Sequence, residues 1–252
     1  MPSVYQSIAV IGFGKFGRLA HSILKKNLDV NVRVAVHTLE TVNDAVGVEF
    51  VSFEQLSAFD ALVIATPIGQ IEGLFNNLAE KFSTSPKALI DLCSVKIFPK
   101  AKMLELLPQS WELISLHPLF GPASFRANKN ALTGFSVTIE KVRASDRNFD
   151  SIKKFLDKLD LEILEMSAED HDRFFGEPQF LTHLAAAIFR GTLDSGGALF
   201  EGLKSVDLFR ASMNLLTSDE ALLQDMFKYN PYAAKAMEKI DLNWTRIKTK
   251  LS

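Results

Sequence analysis

The stretch Ser7-Ile-Ala-Val-Ile11, followed at once by Gly12-Phe-Gly-Lys-Phe-Gly17, constrains this chain more than any other. An unbroken apolar run of strand length suits a strand buried on both faces, as in a parallel sheet; a half-exposed strand would alternate. The glycines are spaced G-x-G-x-x-G, and each has its own physical task. Gly12 permits a tight turn out of the strand, Gly14 lets a pyrophosphate approach the backbone, and Gly17 lets the next helix pack close to the sheet. From Arg18 to Lys26, Leu19, Ile23 and Leu24 share one helical face, and Val30 to Val36 reads as the next strand. Strand, glycine loop, helix and strand in this order turn a weak motif into a dinucleotide-binding one. The helix start offers unpaired N–H groups and the positive end of its dipole to an anion. Phe13, Lys15 and Phe16, which lie between the glycines, join them as candidate cofactor contacts.

The alternation continues. Val48 to Val51 is a short strand, Ser52 caps a brief helix, and Ala61 to Ala65 is another buried strand ending at Thr66-Pro67, two further candidate cofactor contacts. Ile68 to Phe82 reads as a helix, Ala88 to Cys93 as a strand, Pro99 to Leu107 as a helix and Leu113 to His117 as a strand. Gly134 to Glu140 alternates apolar and polar residues and suits an edge or antiparallel strand. Asp146 is placed to cap a helix through Leu159, and Leu161 to Met166 reads as the last strand. From Ser167-Ala-Glu-Asp170, which fits a capping box, only helical periodicity is visible. These helices run from about 168 to 193, then over 206–216, 218–228 and 231–250, with Gly196, Gly197 and Gly202 interrupting. The expected class is α/β: an N-terminal Rossmann-like, doubly wound, mostly parallel sheet over 1–167, then an all-helical C-terminal domain over 168–252.

Bulk properties narrow the partners. A formal net charge of -2 gives no reason to expect nucleic acid or an acidic membrane. Cys93 is the single cysteine, so no internal disulfide forms and a reducing compartment is expected. No start resembling a signal peptide and no apolar run near the ~20 residues of a membrane helix is present. A cytoplasmic protein without a metal site is the expectation. The cofactor itself is left open by the end of the second strand, Val34-Ala-Val-His-Thr38. It lacks the acidic residue that would bond the ribose hydroxyls of NAD, which leans toward NADP with His37 and Thr38 as contacts, although Glu40 could serve as a displaced acid.

Leu113-Ile-Ser-Leu-His-Pro-Leu-Phe-Gly-Pro122 is a short apolar strand that stops abruptly, because Pro118 and the Gly121-Pro122 pair break the ladder. His117 is thereby set at the carboxyl end of a strand, where open α/β sheets bind ligands and where an imidazole can move a proton near neutral pH. Ser94 occupies another strand end, although it could equally cap the following helix. His183 and Gln179 share a helical face with Arg190 close to it.

With Asp91-Leu-Cys-Ser-Val-Lys96, His171-Asp-Arg173 and Gln179-Phe-Leu-Thr-His183 in this order behind the glycine loop, the chain resembles the prephenate and arogenate dehydrogenase family of tyrosine biosynthesis. Its texture is nearest the plant arogenate enzymes. The resemblance implies NAD(P)-dependent oxidative decarboxylation of a cyclohexadienol, prephenate or arogenate, in a homodimer joined through the helical half. It implies His117 as the catalytic histidine acting on the ring hydroxyl, Ser94 contacting the same hydroxyl, and His183 binding a substrate carboxylate, with Gln179, Arg190 and Arg210 as further substrate contacts. His171 and Asp172 read as helix-organising residues. The chain departs from the family in having Ala123-Ser124-Phe125 where many relatives carry an acidic residue and then Ser-Gly; Arg126 could replace that contact. Another nicotinamide-dependent reductase with a helical dimer domain, or a dinucleotide sensor without catalysis, would share the glycine loop but not the Ser94 and His117 segments.

Overall fold

The computed structural model describes residues 5–36, 45–85, 87–194 and 220–251. Eight strands form one sheet: β1 (Ser7–Ile11), β2 (Asn31–Ala35), β3 (Phe50–Val51), β4 (Ala61–Ile64), β5 (Ala88–Asp91), β6 (Glu112–Pro118), β7 (Ser136–Arg143) and β8 (Glu162–Glu165). Their order is β3-β2-β1-β4-β5-β6-β7-β8. All pairings from β3 to β6 are parallel; β7 runs antiparallel to β6, with His117 opposite Thr138, and β8 is parallel to β7. The alternating pattern after Gly134 therefore does mark the antiparallel strand. The ends of β1, β4, β5 and β6 converge on one edge, which brings Gly12, Thr66, Ser94 and His117 to the same side of the molecule.

Side-chain alternation divides the core into two layers. On one face, Ile11, Leu62, Ile64, Leu89 and Leu113 pack against a 3-10 turn (Phe53–Ala58), α2 (Ile71–Phe82) and α3 (Ile97–Leu106). On the other, Val10, Val63, Ile90, Ile114 and Leu116 pack against α1 (Lys15–Asn27) and α5 (Asp146–Lys158). Between them in sequence, α4 (Pro122–Ala127) follows β6. Gly121-Pro122, read above as breaking the strand ladder, starts this short helix, with proline at its first residues and the Ser124 hydroxyl bonded to the Gly121 backbone. The cap of α5 is Ser145, whose hydroxyl accepts from the Asn148 N–H, rather than Asp146, which is the first helical residue and pairs with Lys141.

Every element described after β8 is helical. Ser167 caps α6 (Ala168–His171) as anticipated, accepting from the Asp170 N–H. The expected long helix is broken by a π-helical turn at Asp172–Gly176, after which α7 (Glu177–Asp194) continues. Then come α8 (Glu220–Tyr229) and α9 (Ala233–Leu251). The expected helix over 206–216 and Gly196, Gly197 and Gly202 lie outside the described residues. Phe180, Met226, Ala233 and Ala236 join the same buried cluster as α2 and α3, so this part shares a core with one sheet face. Phe180 is 2% exposed, and its truncation to alanine should cost about 3–5 kcal/mol. A single, lowered urea transition for Phe180→Ala would confirm the shared core; an unchanged first transition with a separate early one would show two independent cores.

Candidate active site

The glycine loop has the geometry its spacing implies. Gly12 has φ +105°, and a Cβ there would lie 2.5 Å from the Ala65 carbonyl oxygen. A Cβ on Gly17 would lie 2.2 Å from the Gly12 carbonyl oxygen, so both positions exclude any side chain. Gly14 differs: nothing lies within 4 Å of its would-be Cβ. It caps α1 without a side-chain partner, and the first turn holds no acidic residue. Open space over a helix start with unpaired N–H groups fits a dinucleotide pyrophosphate. Thr66, at the end of β4, has a buried hydroxyl without a partner, and Pro67 opens the 3-10 turn Ile68–Gln70 beside it. Lys15 is exposed at the start of α1. Phe13 meets Phe50 edge-on at 5.1 Å and carries the Arg18 guanidinium 4.1 Å above its ring, while Phe16 packs toward Phe120. His37 and Thr38 lie outside the described residues.

His117, next to last in β6, is 6% exposed. Its Nδ1 lies 2.9 Å from Nε2 of His171, and Nδ1 of His171 lies 2.8 Å from Oδ1 of Asp172. Asp172 in turn accepts from two backbone N–H groups at the start of α3: Lys96 at 2.8 Å on Oδ1 and Ile97 at 2.9 Å on Oδ2. This chain assigns the protons. With the carboxylate accepting, His171 carries its proton on Nδ1 and presents a lone pair at Nε2. His117 must then donate from Nδ1, which leaves Nε2 as its bare acceptor nitrogen. Among the described residues, that atom has no hydrogen bond. Burial pushes the His117 ring well below its ordinary value, with His171 and the Lys96 cation adding to the shift. Burial also lowers His171, against the opposing pull of Asp172. His117 is thus neutral, fixed in one tautomer and oriented.

His171 and Asp172, read above as helix-organising residues, therefore have a second position: they form the chain that fixes His117. The π turn that begins at Asp172 is a local irregularity with no pattern in the sequence, and such turns concentrate at functional sites. The spacing His-Asp after a capping box was the available signal. Beneath them lies a second buried group. The Lys96 Nζ donates to Asp91 Oδ2 at 2.5 Å and to the carbonyl of Leu116, immediately before His117, at 2.9 Å. Ser94 lies between Asp91 and Lys96 in sequence, and its buried hydroxyl has no partner. Since β5 and β6 are adjacent and parallel, Ser94 and His117 emerge side by side. Burial and Asp91 push the Cys93 thiol up, which makes it a poor nucleophile.

On α7, His183 is 9% exposed, and Gln179, one turn earlier, buries an Oε1 without a partner. The buried side-chain atoms without a hydrogen-bond partner include the Thr66 and Ser94 hydroxyls and Gln179 Oε1, three positions singled out in the sequence, as well as Trp111 Nε1 in the apolar core. Arg190 falls within α7, and Arg210 lies outside the described residues. Among the described residues, no group of three or more His, Cys, Asp or Glu could hold a metal ion.

The two neutral rings make stability depend on pH. In the unfolded chain each takes up a proton as pH falls through about 6.5, while the folded rings resist. Stability is therefore full above that value and drains away as pH falls toward the lower folded values, by up to about 1.4 kcal/mol per pH unit for each ring. Urea unfolding at pH 7.5, 6.5 and 5.5 should show a shallower loss for His117→Gln than for the parent; equal slopes would contradict the neutral ring.

Comparison with known proteins agrees with this geometry. The family model for the prephenate dehydrogenase nucleotide-binding domain matches residues 20–164. Arogenate dehydrogenase 2, chloroplastic, of Arabidopsis thaliana is 28% identical over 260 residues, covering 97% of this chain and 69% of that protein. Arogenate dehydrogenase 1, chloroplastic, of the same plant is 26% identical, over 97% of this chain and 39% of the relative. The chain thus spans little more than a third of the second relative. Among solved structures, the prephenate dehydrogenase from A. aeolicus in complex with hydroxyphenyl propionate and NAD+ shares the fold. Its TM-score is 0.73 and its identity 19%, over 98% of this chain and 90% of that one. The Synechocystis arogenate dehydrogenase gives a TM-score of 0.62 at 17% identity, over 97% and 91%. With the matched domain spanning more than half its length, this chain belongs to the prephenate dehydrogenase family of NAD(P)-dependent oxidoreductases.

Proposed function

We propose that the chain catalyses the oxidative decarboxylation of a cyclohexadienol, prephenate or arogenate, with NAD(P). The observation that carries this is the bare Nε2 of a neutral His117, held by His171 and Asp172 beside the unpartnered Ser94 hydroxyl at the edge where the glycine loop ends. When bound, the nicotinamide supplies the hydride acceptor. His117 takes the ring hydroxyl proton on Nε2 as the carbinol carbon gives up its hydride. The Nδ1 proton then moves toward His171, and Asp172 stabilises the charge that develops there. Ser94 orients the same hydroxyl. His183 and Gln179 bind the polar substituents of the substrate, and loss of the ring carboxylate as carbon dioxide yields the aromatic product. NADP is the favoured cofactor, supported by the absence of an acid at Val34-Ala-Val36 and by the Arg18 cation above Phe13. Two units, 1–167 and 168–252, fit the change from sheet to helices, and a reducing, cytoplasmic setting suits the single buried Cys93.

A homodimer through the helical part is also proposed. In α9, Ala233, Met237, Ile240, Trp244, Ile247 and Leu251 recur at alternating steps of four and three, a coiled-coil seam. Its start is buried, yet Trp244 is 58% and Leu251 83% exposed, and Ile188 on α7 is 56% exposed. Such a seam is stable when a second copy covers it.

Turnover with prephenate or arogenate, each with NAD or NADP, tests the reading directly; silence in all four mixtures would overturn it. His117→Ala should lower kcat about 10²–10⁴-fold with dinucleotide affinity kept. His171→Phe should lower kcat and shift its acid limb, since the tautomer of His117 is no longer fixed. Trp244→Glu with Ile247→Glu should sediment as a monomer at concentrations where the parent is a dimer; a parent that is itself monomeric would refute the assembly.

A further inference from the structure

A cavity of about 1080 Å³ lies on the sheet face opposite the helical part. Its origin is topological. On this face α1 covers β1 and β2, and α5 packs on β8. Both α2 and α3 belong to the other face, so among the described residues no helix crosses β4 and β5 here. The floor is apolar, formed by Val63, Ile90 and Leu116, with Leu24 of α1 and Phe155 of α5 as walls. The volume lies just above the ~300–1,000 Å³ typical of ligand pockets.

The rim has a different chemistry. Arg147, Ser151, Lys154 and Lys158 follow one another at steps of four, three and four residues, so they lie on one side of α5, and all four line the cavity. None of the three cations is in an ion pair among the described residues, although most of the other lysines of the sheet domain's surface helices and strands are paired. Against them stand the carboxylates of Asp29 and Asp157, which leaves the rim one net positive charge. An apolar chamber with a singly positive mouth complements a molecule with a long apolar body and one negative head. A polyphosphate would find neither enough charge nor a polar floor. The position has a consequence for the site described above: Leu116 and Pro118, which flank His117, and Phe16, in the first turn of α1, are all part of the wall. An occupant touches the back of both the histidine strand and the cofactor helix.

We infer that this cavity is a binding site for an amphiphilic monocarboxylate of the acyl-chain class, separate from the dinucleotide and substrate cleft. The inference does not depend on the proposed reaction. Decanoate is the probe, titrated calorimetrically into the full chain below its micelle concentration. One molecule per chain should bind, and decyltrimethylammonium should not. Arg147→Glu with Lys154→Glu, on the exposed side of α5, should weaken decanoate about tenfold or more with an unchanged melting temperature. Val63→Phe, which fills the floor, should abolish binding. Dinucleotide binding should be retained in both variants and should not compete with decanoate. Absence of binding, equal affinity in the charge-reversed variant, or displacement of decanoate by NAD or NADP would each overturn the assignment.

Discussion

The seating of the Asp172 carboxylate on the backbone N–H groups of Lys96 and Ile97 is the interaction on which the site depends. The N-terminus of α3 is an anion site by virtue of its unpaired donors and dipole, and here the chain fills it with its own side chain. That side chain comes from the helical part, while α3 belongs to the sheet layer. A single carboxylate thus fastens one to the other, at the point where His171 must be aimed. The Asn230 side chain adds a donor to the Asp172 carbonyl at 3.2 Å, which ties α8 and α9 to the same residue. Gly176 lies beneath it, where a Cβ would strike the Asn230 amide at 2.1 Å. The π turn is enclosed on both sides by these contacts, which accounts for its persistence in what would otherwise be one straight helix.

Much of the sheet domain was legible because its strands are short apolar runs bounded by glycine, proline and capping residues. Buried parallel strands carry the strongest such signal, and Ser7–Ile11, Ala61–Ile64 and Ala88–Asp91 fall where the pattern puts them. Local hydrogen-bond chemistry was read less well. Asp146 is a good cap residue by type, yet Ser145 before it has the extended backbone and the shorter hydroxyl that reach the Asn148 N–H. At the site, the ends of β4, β5 and β6 could be read from residue order, since strand-ending positions are local. The roles of His171 and Asp172 could not, because they depend on a contact between residues 54 apart, and a capping box beside them offered a sufficient local explanation.

The buried pair of Lys96 and Asp91 poses a problem of magnitude. Removing both charges from water costs several kcal/mol for each ion, and their attraction seldom repays it. The surroundings show how it is offset here. The ammonium has three donors and finds Asp91 Oδ2, the Leu116 carbonyl and, at 3.5 Å, the Asp91 carbonyl. Asp91 Oδ1 accepts from the Cys93 N–H. Both charges are thus hydrogen-bonded as well as paired. What the arrangement provides is position more than stability: it pins the peptide before His117 to the strand beside it and places a fixed cation near a ring that must stay neutral.

A cation beneath His117 and a carboxylate beyond His171 have opposite effects, and their order along the chain matters. Lys96 lowers the affinity of His117 for a proton, while Asp172 raises that of His171. Burial lowers both rings, Lys96 opposes a proton on either and Asp172 favours one on His171, so within the pair the gradient runs from His117 toward His171. The two ends of this gradient belong to different layers: Lys96 comes from the β5–α3 turn, and Asp172 from the first turn of the helical part. Any movement that separates the layers dissolves the gradient and the tautomer together. The tautomer of His117 therefore depends on the packing of the two parts against each other.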